Sequence, residues 1–84
     1  MRFNEVHFNY AKGHAVASLK IAESALEAGN LQIAKLALKE ASSFITTMAD
    51  DTLLEGATMT ELDKLVEIAV RRDAVEKIVE KSAI

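Results

Sequence analysis

The dipeptide Gly29-Asn30 constrains this chain more than any other feature. It separates two long runs of helix-forming residues, one closing at Ala28 and one opening at Leu31. Gly suits the left-handed residue that ends a helix, and Asn caps the next one with its side-chain oxygen. A link this short forces the two helices antiparallel. The chain has no Pro and only three Gly in 84 residues, so little interrupts the helices on either side. The reading is an all-α fold: an antiparallel helical hairpin plus a third helix, in one domain spanning residues 1–84.

The first helix is expected over about residues 4–28. Asn4 is its N-cap, and Phe3 with Phe8 fits a hydrophobic staple. At about 100° per residue, Arg2, Glu5, Asn9, Lys12, Lys20, Glu23 and Glu27 share a polar stripe broken by Val16. The remaining arc has two apolar edges. One carries Phe3, Val6, Tyr10, Ala17, Ile21 and Ala28; the other carries Phe8, Ala15, Leu19, Ala22 and Leu26. An arc this wide suggests a helix with two neighbours. Gly13 sits inside it at a cost of about 1 kcal/mol against Ala, marking a kink, a close contact or a later start.

The second helix is expected over about residues 31–49. Ile33, Ala34, Ala37, Leu38, Ala41, Phe44, Ile45 and Met48 share its apolar face. In the connection that follows, Leu53 and Leu54 read as a short lid and Glu55-Gly56 as its close. Thr58 with Glu61, or Thr60 with Asp63, gives a capping-box start for a third helix over about residues 60–82. That helix has two apolar faces, Leu62, Leu65, Val66 and Ala69, then Ala74, Val75, Ile78 and Val79. They are rotated by more than a quarter turn, with the switch at Arg71-Arg72-Asp73. Either the helix breaks there, where Asp73 and Glu76 offer a second capping box, or it continues and buries a different side.

Composition narrows the function classes. There is no Cys, which excludes disulfides and thiolate metal sites and makes a reducing, cytoplasmic setting the expectation. The opening Met-Arg-Phe-Asn-Glu-Val-His is too polar for a signal peptide. No run approaches the roughly 18 apolar residues that span a bilayer. The net charge of −3 is mixed along the chain and gives no general pull toward nucleic acid.

The hairpin resembles one tetratricopeptide unit through Gly29, Asn30, Ala34, Leu38 and Ala41, with the small Ala22 in the first helix. Ser18 and Ala25 depart from the large aromatics of that family. The resemblance covers about a third of the chain. A hairpin plus a third helix is also similar to the microtubule-interacting-and-transport type of domain. Both families bind proteins or peptides, so the resemblance implies partner recognition.

Chemistry-bearing clusters are sparse. His7 and His14 are seven residues apart, about 10 Å along a helix, too far to grip one zinc ion. They read as half-buried residues flanking Tyr10. Arg2 and His7 have the Arg-x4-His spacing of the all-helical HEPN ribonucleases, which implies phosphate binding and proton transfer at an RNA cleavage site. There is no Gly-rich phosphate loop or nucleophile elbow. Ser42, Ser43, Thr46 and Thr47 lack an adjacent base and are expected to bond back to helix carbonyls or face water. Arg71 and Arg72, with Lys64, Lys77 and Lys81, interleave with Glu67, Asp73, Glu76 and Glu80 as a self-paired face.

The surplus apolar face of the third helix carries the functional expectation, because exposed apolar patches mark contact sites. It predicts a non-enzymatic protein-interaction module with a protein partner, self-associating as a homodimer and needing no cofactor. Leu62, Val66, Val75, Ile78 and Val79 are its expected contacts, Arg71 and Arg72 its polar determinants, with Leu36 and Leu54 adding to the surface. The alternatives are a nucleic-acid-associated regulator using Arg71, Arg72 and the nearby Lys, and a small ribonuclease using Arg2 and His7.

Overall fold

The structure, a computed structural model, describes residues 4–50 and 55–82. They form three helices: α1 over Glu5–Glu27, α2 over Leu31–Met48 and α3 over Met59–Ser82. Helices α1 and α2 make a tight antiparallel pair, and α3 lies across one side of it in an elongated bundle of 44 × 17 × 16 Å. Among the described residues no helix is long and apolar enough to cross a membrane.

Each helix start uses the residue chemistry expected of it. The Asn4 side chain accepts from the His7 amide at 3.1 Å, which satisfies a first-turn donor of α1. Phe3, the other half of the expected staple, lies outside the described residues. Thr58 and Glu61 form the capping box of α3: the Thr58 amide donates to Glu61 Oε1 at 3.0 Å, and the Glu61 amide donates to Thr58 Oγ1 at 3.3 Å.

The hairpin link is a Schellman closure joined directly to an N-cap. The Gly29 amide donates to the Leu26 carbonyl at 3.1 Å, and the Asn30 amide to the Ala25 carbonyl at 2.8 Å. Asn30 then turns its own side chain forward to accept from the Ile33 amide at 3.2 Å. Gly29 has φ of 74°, in the left-handed region where a Cβ is costly. Gly29→Ala is therefore expected to lower stability by about 1–2 kcal/mol, read as a fall in the urea midpoint.

Ala is the commonest residue of the core. Ala11, Ala15, Ala22 and Ala25 of α1 face Ala34, Ala37 and Ala41 of α2 and let the two backbones approach closely. Phe8, Leu19 and Met48 are the largest fully buried side chains. Of the two apolar edges of α1, the one carrying Phe8, Ala15, Leu19 and Ala22 goes inward. Helix α1 passes Gly13 unbroken, and a Cβ placed there would meet nothing within 4 Å.

Helix α3 is continuous from Met59 to Ser82, without a break at Arg71-Arg72-Asp73. Its inward stripe runs Leu65, Ile68, Arg72, Val75 and Val79, alternating steps of three and four. Arg72 occupies a position where an apolar residue was expected, so the pattern looked interrupted when the geometry is not. Its stem covers the seam while its head reaches polar partners. Asp73 meets Arg72 and makes no second cap. Only Ile68, Val75 and Val79 of α3 are buried, so this helix is held more weakly than the hairpin.

Candidate interaction surfaces

Two arginines fasten α3 to the hairpin. Arg71 Nε donates to Glu23 Oε2 at 3.0 Å, and its Nη2 donates to Oε1 of the same carboxylate, a two-pronged bond from α3 to α1. Arg72 Nε donates to Ser42 Oγ at 2.9 Å, reaching α2, while its amino groups pair with Asp73 and Glu76. Ser42 in turn donates to the Leu38 carbonyl at 2.9 Å. Thr46 and Thr47 bond back to the Ser42 and Ser43 carbonyls, as their lack of a base led one to expect.

The hydrogen bonds from Arg71 hold the Glu23 carboxyl below the ordinary glutamate value, against partial burial, which raises it; the Arg71 guanidinium is raised in return. A carboxyl depressed on folding stabilises the fold above its unfolded pKa, and this contribution fades as pH falls through the folded one. Both side chains are more than a third exposed, so the effect is modest, below about 1 kcal/mol. Stability against urea is expected to decline as pH drops below about 4.3. In Glu23→Gln that part of the decline is absent; an unchanged pH profile in this variant contradicts the assignment.

The residues expected to contact a partner divide into three groups. Val75 and Val79 lie in the core, 3% and 6% exposed, because the unbroken α3 turns them onto the hairpin. Arg71 and Arg72 are engaged within the chain, and Leu62 is half-buried. Val66 and Ile78 remain on the surface at 59% and 51%. Ile78 borders a shallow groove between α3 and α1 with Leu26, Arg71 and Ala74. Val66 lies instead on the outer side of α3, near Met59 and Val70. Leu36 is exposed on α2; Leu54 lies outside the described residues.

A second uncovered surface lies on the hairpin. The α1 edge carrying Val6, Tyr10, Ala17, Ile21 and Ala28 is left exposed, because α3 covers the opposite edge. Tyr10 is fixed there by ring contacts. His14 lies 4.4 Å from Tyr10 and stacks on Phe44 at 4.8 Å, and Tyr10 meets Phe44 edge-on at 6.4 Å. Ile21 and Ile33 flank a shallow groove at the hairpin's closed end. The signal was legible as an apolar arc too wide for one neighbour. Which edge α3 leaves open depends on docking, which the sequence pattern does not encode.

His7 and His14 are both exposed rather than half-buried. Among the described residues no group of three His, Asp or Glu is placed to hold a metal ion. Arg2, the partner of His7 in the ribonuclease-like spacing, lies outside the described residues. The grooves beside Val16 and Ile68, beside Ile21 and Ile33, and beside Leu26 and Ile78 are shallow and open. Compared with protein-family models, curated proteins and solved structures, the chain finds no match.

Proposed function

We propose that this chain is a small, non-enzymatic protein-interaction module, an adaptor or regulator that binds through apolar helix faces. One observation carries the reading. Large apolar side chains that the bundle leaves uncovered, Val6, Tyr10 and Ile21 on α1 and Val66 and Val70 on α3, are each more than half exposed. Exposed large apolar side chains of this kind favour burial against another protein. Tyr10 suits an anchor, since its ring is already held by His14 and Phe44 and loses little freedom on binding. The hairpin's likeness to protein-binding helical repeats supports the same class.

The nucleic-acid reading has less support, because Arg71 and Arg72 spend their charge on Glu23, Asp73 and Glu76. Capture of partners by the tagged full chain from its own cells, with and without nuclease, tests the choice. Proteins retained after nuclease are expected. Partners that all vanish with nuclease, together with salt-sensitive binding of nucleic acid by the pure chain, overturn it.

A further inference from the structure

Helices α1 and α3 run in the same direction, so the seam between them meets residues in chain order. Lys12 and Val16 lie beside Lys64 and Ile68, then Glu23 beside Arg71, then Leu26 beside Ile78. At Glu23 the seam has a carboxylate on one helix and a guanidinium on the other, joined by two hydrogen bonds. Earlier along the seam both helices carry a cation instead. The ammonium groups of Lys12 and Lys64 have no ion-pair partner among the described residues. Glu67 lines the same groove but pairs with neither.

These two lysines flank an apolar floor. Val16 is half-buried and Ile68 is 7% exposed, and the groove they line has a volume of about 330 Å³. Lys12 is itself half-buried, where a neighbouring like charge is screened less than on the open surface. An anion placed between the two ammonium groups sets two attractions against that repulsion. The groove lies open along one side, unlike the enclosed pockets that hold small molecules. An anion therefore gains most here when a larger body carries it, with an aliphatic group beside it for the floor. A nucleic-acid backbone makes poorer use of the groove. Phosphates gain nothing from its floor, Glu67 repels them, and no aromatic ring lines it for base stacking.

Resting on the interaction reading above, we infer that this groove is an acid-reading contact of the module, separate from the apolar edge of α1. A Glu or Asp of the partner protein seats its carboxylate between Lys12 and Lys64, and an aliphatic side chain next to it packs on Val16 and Ile68. The incoming carboxylate does for the two lysines what Glu23 already does for Arg71 further along the seam. Partly exposed ion pairs each add little affinity, so the contact selects partners more than it holds them. Salt weakens it.

Nuclear magnetic resonance shifts of the labelled full chain, titrated at low salt with short blocked peptides, test this. The probe is acetyl-Glu-Leu-Glu-Leu-amide, and the control is its Gln-Leu-Gln-Leu counterpart. The acidic peptide is expected to shift the amides around Lys12, Val16, Lys64 and Ile68. The Gln peptide is expected to bind roughly five- to tenfold more weakly, the yield of two partly exposed ion pairs. In the double variant Lys12→Glu, Lys64→Glu the preference is expected to reverse, toward a Lys-Leu-Lys-Leu peptide; a merely unfolded variant prefers neither. Equal binding of the Glu and Gln peptides, shifts confined to other surfaces, no binding at millimolar peptide, or tighter binding of oligothymidylate in the groove overturns the inference. Host proteins retained equally by the wild type and the reversed variant leave the interaction reading standing while the groove falls.

Discussion

Phe8→Ala is expected to lower the unfolding free energy by about 3–5 kcal/mol. Phe8 is 0% exposed and is one of the largest fully buried side chains, in a core where Ala is the commonest residue. Ala has no rotamers with which to fill the space a lost ring leaves, so the cavity persists. Small domains hold only about 5–15 kcal/mol in total, so this single change removes a large share. Urea unfolding followed by circular dichroism reads the loss as a lower midpoint or a chain already unfolded in buffer. A cost below about 1 kcal/mol contradicts the packing of Phe8.

The second large effect separates two neighbours on α3. Val75→Asp is expected to release the helix from the hairpin, because Val75 is 3% exposed and an unpaired carboxylate there loses its hydration. Several kcal/mol are at stake, while α3 has few other buried contacts to hold it. Ile78→Asp, three residues on, is expected to change stability by less than about 0.5 kcal/mol, because Ile78 is half exposed. Hydrogen exchange along α3 distinguishes them: fast exchange throughout the helix in Val75→Asp, near wild-type protection in Ile78→Asp. Equal behaviour of the two contradicts the orientation of α3.

Local chemistry made the fold legible where one residue does one job. Asn4, Gly29-Asn30 and the Thr58–Glu61 box act within a single turn, and each makes the hydrogen bonds its residue type implies. The face of α2 was readable because Ala34, Leu38, Ala41 and Ile45 repeat without interruption. The face of α3 was harder to see. Arg72 stands on the inward stripe, and a charged head there disguised the continuity between Ile68 and Val75. Val75 and Val79 then seemed to form a separate surface with Ile78, when only Ile78 is left outside.

The candidate surface was legible only in part, for a related reason. Both edges of α1 are apolar, and periodicity alone does not rank them. The choice is made by α3, which settles beside Val16 and Leu26 of α1 and pairs Arg71 with Glu23. The edge of Val6, Tyr10 and Ile21 is what remains. Its exposure follows from how three helices of this size cover one another, a long-range property that no local motif encodes.

The most direct test of the account compares the tagged wild-type chain with a Val6→Asp, Tyr10→Asp variant as baits after nuclease treatment. Both are offered proteins from the natural host. Both positions are exposed, so the variant is expected to keep its helicity. The account predicts that proteins stay bound to the wild type and are lost from the variant. An identical set on both baits, or no protein retained on either, contradicts it.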